Sequence, residues 1–176
     1  MNPRERIIET ASRLFYTQGY NNTGINQVIK EAKVARASFY DYFPSKEQLL
    51  IDYLHEAATR TNEGLRVATA KAATQKEKVA AVFDHLSKLG RQSHYNGCNF
   101  LNILAEIPPD NKEVKTLVQK QKDHIRNLFA TILGRGKKDP LADQLYLLFD
   151  AALSTSKVYE NNWPIETAKK LAEQLL

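Results

Sequence analysis

Arg36, Ala37, Ser38 and Tyr40 bring a guanidinium, a methyl, a hydroxyl and a phenol into one short run. On an exposed helix this set suits nucleic acid. Arginine can donate to guanine O6 and N7 together, alanine can touch a thymine methyl, and serine can bond a base edge or a phosphate. Tyr40 falls one helical turn beyond Arg36, on the same face. Phe39 and Phe43, also four apart, belong to a core instead. An arginine on a helix is more often simply solvated, so the weight rests on the elements that would hold it.

Those elements can be read around it. Pro3 suits a first helical position, where its missing N–H costs nothing. Ile7, Ile8, Ala11, Leu14 and Phe15 then repeat as an amphipathic stripe, and Gly19 is expected to end that helix in a left-handed conformation. Ile25, Val28, Ile29 and Ala32 line a helix of fewer than three turns. A second short helix is expected over about 35–43. Ser45 with Gln48 reads as a capping box for a long helix carrying Leu49, Leu50, Tyr53, Leu54 and Ala57. Helices so short bury little alone and need the long ones as support. The order is that of a helix-turn-helix DNA reader, whose second short helix enters the major groove.

The ordered set Phe15, Gly19-Tyr20, Thr23, Ile25, Val28, Ala32, Val34, Ser38-Phe39-Tyr40, Tyr42-Phe43, Ser45-Lys46-Glu47 and Leu49 resembles the N-terminal signature of the tetracycline-repressor (TetR) family. The resemblance covers roughly the first 50 residues. It implies an all-α fold, with a helix-turn-helix DNA-binding domain at 1–48 and a helical effector-binding and dimerisation domain at 49–176. It implies a homodimeric repressor, released from a palindromic double-stranded DNA operator by a small molecule. On this likeness Tyr40 and Tyr42 contact sugar or phosphate, Lys46 clamps a phosphate, and Asn26 contributes to base contacts. Lys33, in the turn, completes the basic side of the set.

Three positions depart from the family pattern. Lys33 stands where the turn usually has glycine. Either it adopts a left-handed conformation, at a cost of about 1 kcal/mol, or the turn takes another geometry. Ala35 forgoes a polar N-cap worth about 1 kcal/mol. Gly24 replaces a threonine that would reach a phosphate.

Beyond residue 50 the chain reads as helices with short breaks. The first long helix is expected to run to about 73, with Gly64 a bend. Thr74 and Glu77 form another capping box, Asn96-Gly97 a break, and residues 98–107 a short apolar helix stopped by Pro108-Pro109. Asp110 is expected to cap a helix to about 133, before a loop at 134–138. Asp139-Pro140 opens a helix to about 159, and the last helix follows Pro164. The run Leu145 to Phe149 is apolar all round, so it needs cover on two sides. The second cover is expected to be another copy, the last two helices of each chain forming a four-helix bundle.

Phe83, Tyr95, Phe100, Asn102, His124, Phe129, Tyr146 and Phe149, with Trp163, are the candidates for an effector pocket. No charged pair stands out in the pocket helices, which favours an apolar or aromatic effector. Cys98, at an expected helix start, is a candidate electrophile or redox sensor.

Composition agrees and excludes alternatives. A chain of 176 residues can bury a sizeable core. Its net charge of +5 favours polyanionic partners only modestly. A lone cysteine fits a reducing cytoplasm, and no apolar run is long enough to span a membrane. His94 and Cys98 are four apart, but the Asn-Gly break separates them and no third group orients them. The histidines lack metal spacing, and Gly134-Arg135-Gly136-Lys137 follows no strand. No enzyme, cofactor or metal is therefore expected. A helical interaction protein that has lost DNA binding, and the Cys98 sensor, stay open as alternatives.

Overall fold

In the computed structural model, which describes residues 1–136 and 139–176, the chain is all helical among the described residues. The helices are α1 (Pro3–Gln18), α2 (Ile25–Ala32), α3 (Arg36–Tyr42), α4 (Lys46–Thr69), α5 (Gln75–Gln92), α6 (Asn99–Glu106), α7 (Lys112–Ile132), α8 (Pro140–Tyr159) and α9 (Trp163–Gln174). Lys137 and Lys138, in the expected 134–138 loop, lie outside the described residues. Among the described residues, no helix is long and apolar enough to cross a membrane.

Two compact units form. The first holds residues 1–59 and 99–118, the second 60–98 and 119–176. The first unit is thus wider than the reader at 1–48, because α6 and the start of α7 belong to it.

In the first unit α1 packs on α2 and α3. Its stripe is buried as the periodicity requires, with Ile7, Ile8, Ala11, Leu14 and Phe15 inside. Phe39 and Phe43 are fully buried, as are Leu49, Leu50, Tyr53 and Leu54 on α4. Phe15 meets Tyr20 and Tyr53 edge-on at 5.2 and 5.5 Å, a favourable ring geometry. Asn2 and Glu5 close a reciprocal capping box at the start of α1. At the start of α4, the Gln48 N–H donates to Ser45 Oγ at 3.0 Å. The Gln48 side chain turns instead to Asp52, so Ser45 alone makes the cap.

Several boundaries differ from the sequence reading. Gly19 has φ 92 and ψ 156, a mirror-extended conformation and not the left-handed helical one. Asn111 caps α7, accepting from the Val114 N–H at 3.0 Å, where Asp110 was expected. The shift gives α7 the third-residue amide bond typical of an N-cap. α4 ends at Thr69 and continues through Gly64 unbroken. The missing side chain there serves a close approach: a Cβ at Gly64 would lie 2.7 Å from His85 Nε2.

In the second unit α9 packs on both α5 and α8. Thr74 and Glu77 form a complete capping box, and Asp139 caps α8 ahead of Pro140. The core gathers Val79, Val82, Phe83, Leu86, Ile125, Phe129, Leu145, Phe149 and Ile165.

Candidate nucleic-acid interface

The turn between α2 and α3 is closed by backbone alone. Lys33 sits in the left-handed region at φ 54 and ψ 51, and its N–H reaches the carbonyls of Ile29 and Lys30. The chain therefore accepts the strain of a non-glycine residue here. Ala35 precedes α3 in an extended conformation with no side-chain cap.

Arg36, the first residue of α3, is exposed and held on two sides. Its Nη1 donates to Asn26 Oδ1 at 3.0 Å, and its Cζ lies 5.6 Å from the Tyr40 ring centroid. The two contacts join the second residue of α2 to the first turn of α3. Ala37 is exposed and Ser38 half-buried. Tyr40 and Tyr42 keep 40% and 43% of their surface open, so neither is core. Lys33 is also exposed.

Lys46, the first residue of α4, is half-buried, its Nζ 4.2 Å from the centre of the Tyr20 ring. Burial pushes its pKa below the ordinary lysine value, while the Glu106 charge opposes the shift. The α1–α2 loop beside it is tied down by Glu106, the last residue of α6. Glu106 Oε2 accepts the Asn21 N–H at 2.8 Å, and the Glu106 carbonyl accepts Asn21 Nδ2 at 2.9 Å. Thr23, fully buried, donates from Oγ1 to the Gly19 carbonyl at 2.7 Å. Nothing local to Glu106 announces this role, because its partner lies 85 positions away.

The expected effector residues fall in both units. Phe100 is buried and Asn102 half-buried in the first unit. In the second, Phe83, Phe129 and Phe149 pack on one another with ring centroids 6.1–6.4 Å apart. Tyr95 covers the backbone at Gly90, and Tyr146 is half-buried, while His124 on α7 and Trp163 face solvent. A cavity of about 330 Å³ lies between α5 and α9, lined by Phe83, Ser87, Arg91, Ile165 and Lys169 among others.

The expectation that no charged pair stands among these helices does not hold. Lys122 on α7 pairs with Asp150 on α8, and Arg126 pairs with Asp143 across the same two helices. Lys122 Nζ also donates to Cys98 Sγ at 3.4 Å. Burial works against the Lys122 charge, yet Cys98, Asp150 and Tyr146 together hold its pKa above the ordinary lysine value. Among the described residues, no three His, Cys, Asp or Glu side chains converge as a metal-binding group.

A three-helix unit with an exposed arginine and two tyrosines on its third helix has the architecture of a helix-turn-helix DNA-binding domain. Residues 7–53 match the family model described as bacterial regulatory proteins, tetR family. This segment therefore carries the DNA-binding domain of the TetR family. It is 48% identical over 56 residues to the HTH-type transcriptional regulator YuxN of Bacillus subtilis, a match spanning 31% of this chain and 19% of YuxN. The chain therefore covers about a fifth of that relative's length. With the HTH-type transcriptional regulator YjdC of Escherichia coli it shares 26% identity over 180 residues, covering 98% of this chain and 93% of YjdC. The crystal structure of a TetR-family transcriptional regulator from Streptomyces coelicolor superposes with a TM-score of 0.90 at 26% identity. That match covers 98% of this chain and 93% of the other.

Proposed function

We propose that the chain is a sequence-specific DNA-binding repressor, acting as a homodimer that leaves a palindromic operator when a small molecule binds its helical domain. On this reading residues 1–48 read DNA, and 49–176 dimerise and hold the effector. The observation that carries it is the placement of Arg36, exposed at the start of α3 yet braced by Asn26 and Tyr40. Ala37 and Ser38 flank it at the base edges, Lys33, Tyr42 and Lys46 meet the sugar-phosphate backbone, and the net charge of +5 assists. Two copies would address half-sites about 34 Å apart. The dimer is supported by an apolar face on α8 and α9 that one chain leaves open, with Leu147, Val158, Trp163 and Leu171 exposed, and Leu175 just beyond them.

The test is capture of genomic fragments from the source cell by the purified protein at near-physiological salt, with Arg36→Ala as control. Recovery of a palindrome that the variant loses supports the reading. Enrichment of nothing beyond salt-sensitive background overturns it in favour of a helical interaction protein.

A second reading concerns the signal. Lys122 beside Cys98 favours a thiol that reacts with an electrophilic effector such as an α,β-unsaturated carbonyl. Sulfur would bond to the β-carbon, the π pair would move to the α-carbon, and the thiol proton would end there. Release of captured DNA by such a compound from the wild type but not from Cys98→Ser supports it. Equal release from both overturns it.

A further inference from the structure

The contact between Asn26 and Arg36 has a directional chemistry. The carbonyl oxygen of the Asn26 amide accepts from Arg36 Nη1 at 3.0 Å, which fixes the orientation of the amide. Its Nδ2 must then point away from the guanidinium, and it meets no protein acceptor among the described residues. A guanidinium carries five N–H donors. One is engaged by Asn26, leaving enough for a bidentate pair with guanine. The same group lies over the Tyr40 ring, its Cζ 5.6 Å from the ring centroid. An arginine braced from two sides has fewer rotamers to lose when it binds. Both side chains are exposed, so this bracing does not come from burial.

The spacing matters as much. The two nitrogens of interest lie on either side of a single hydrogen bond, and neighbouring bases on one strand are about 3.4 Å apart. A guanine taken by Arg36 therefore brings the adjacent base of the same strand within reach of Asn26 Nδ2. In the major groove adenine, thymine and guanine each present an acceptor (N7, O4, or N7 and O6). Cytosine presents only its N4 amine, a donor. A donor amide facing that amine would leave both unpaired.

We infer that Asn26 and Arg36 form one composite reader, in which Asn26 orients the arginine for guanine through Oδ1 and, through Nδ2, selects against cytosine at the neighbouring base. The assignment rests on the DNA-reading role proposed above and adds a base preference to it. Asn26 is then a specificity-determining residue in its own right and a positioning residue for Arg36.

The experiment is selection from a randomised duplex library by the full-length protein and its N26D, N26A and R36A variants, with thermal melts to verify folding. Affinities are then measured on the selected duplex and its single-base changes. The wild type is expected to select a guanine beside a base other than cytosine. R36A should lose the guanine preference, roughly ten- to a hundredfold. N26D keeps an acceptor for Arg36 but replaces the donor amine with a carboxylate oxygen. It should retain guanine while shifting the neighbouring preference towards cytosine, whose amine it can accept. Its added negative charge should weaken all sequences alike, which a preference ratio does not register. N26A should flatten the neighbouring preference and reduce discrimination for guanine.

Unchanged neighbouring preference in N26D and N26A overturns selection by Asn26, even with R36A behaving as expected. Full guanine preference in N26A overturns the positioning role. Failure of the wild type to select any sequence overturns the DNA-reading role itself, a result distinct from the other two.

Discussion

Glu106 fills the space that Gly19 leaves empty: a Cβ built on Gly19 would lie 2.9 Å from Glu106 Oε1. Gly19 also holds φ 92 with ψ 156, a region that side chains avoid. Glycine is required here twice, for the backbone and for the carboxylate. Gly19→Ala is expected to lower stability by about 1–3 kcal/mol from backbone strain alone, measured by urea unfolding. Glu106→Ala removes the acceptor for the Asn21 N–H and should cost about 1 kcal/mol. If the clash contributes, the double variant Gly19→Ala/Glu106→Ala will lose less than the sum of the singles.

The ring cluster of Phe83, Phe129 and Phe149 sets the stability of the second unit. Phe129 is fully buried against both partners. Phe129→Ala is expected to cost about 3–5 kcal/mol, while Phe129→Leu should cost clearly less. Equal losses would mean that the aromatic contacts themselves, and not the volume that leucine retains, carry the stability.

His85 supplies a pH dependence. Burial, and the nearby Lys88 charge, push its pKa below the ordinary value of 6.5. Asp84 and Glu63 line the same open groove between α4 and α5, where their charges act in the opposite sense. The folded protein then binds a proton at His85 less readily than the unfolded chain. The contribution is fully present above pH about 6.5 and is lost as pH falls towards the folded value. Unfolding at about pH 7.5 and about pH 5 should show stability declining on acidification, by less in His85→Gln. The variant must be compared with wild type at both values, because carboxylates also titrate at the lower end.

Much of the fold is legible in the sequence. Local signals carry furthest: the stripe of α1, the Thr74–Glu77 box and the Asp139-Pro140 start all form where their residue types require. At Lys33 the sequence leaves two turn geometries open, and the backbone takes the left-handed one, closing the turn with its own N–H. What escapes the sequence depends on distant partners. Glu106 meets Asn21 across 85 positions, and Lys122 meets Asp150 across 28. Neither pair has a periodicity to announce it. Asn111 displaces Asp110 as the α7 cap by one residue, a choice between two good capping side chains that local preference cannot make.

The apolar face of α8 and α9 can be tested without DNA. Leu147 keeps 63% of its surface open in the single chain and Leu171 45%, so Leu147 is the residue whose charge substitution disturbs one copy least. Leu147→Glu is expected to convert a dimer to a monomer by sedimentation while leaving the far-ultraviolet spectrum of the helices unchanged. Thr131→Glu places the same charge at an exposed position on α7 and should leave the assembly intact if the apolar face is what holds it. A monomeric wild type would remove the basis for a palindromic operator.

The Lys122–Asp150 pair is the sharpest electrostatic commitment in the second unit. Side-chain exposures of 12% and 22% mean that both charges have given up most of their water. Each is tolerable only with the other, and Lys122 also bonds Cys98 Sγ. Removing one partner leaves an uncompensated charge and is expected to cost about 3 kcal/mol, somewhat less where water can enter. Lys122→Met should therefore be strongly destabilising by chemical unfolding. The double variant Lys122→Met/Asp150→Leu, which removes both charges and keeps comparable volume, should recover most of the loss. Cys98→Ala separates the roles: the sulfur bond is the weaker of the two, so this variant should lose far less than Lys122→Met. If the double variant is no more stable than Lys122→Met alone, the destabilisation comes from lost packing around the lysine stem and not from a stranded carboxylate.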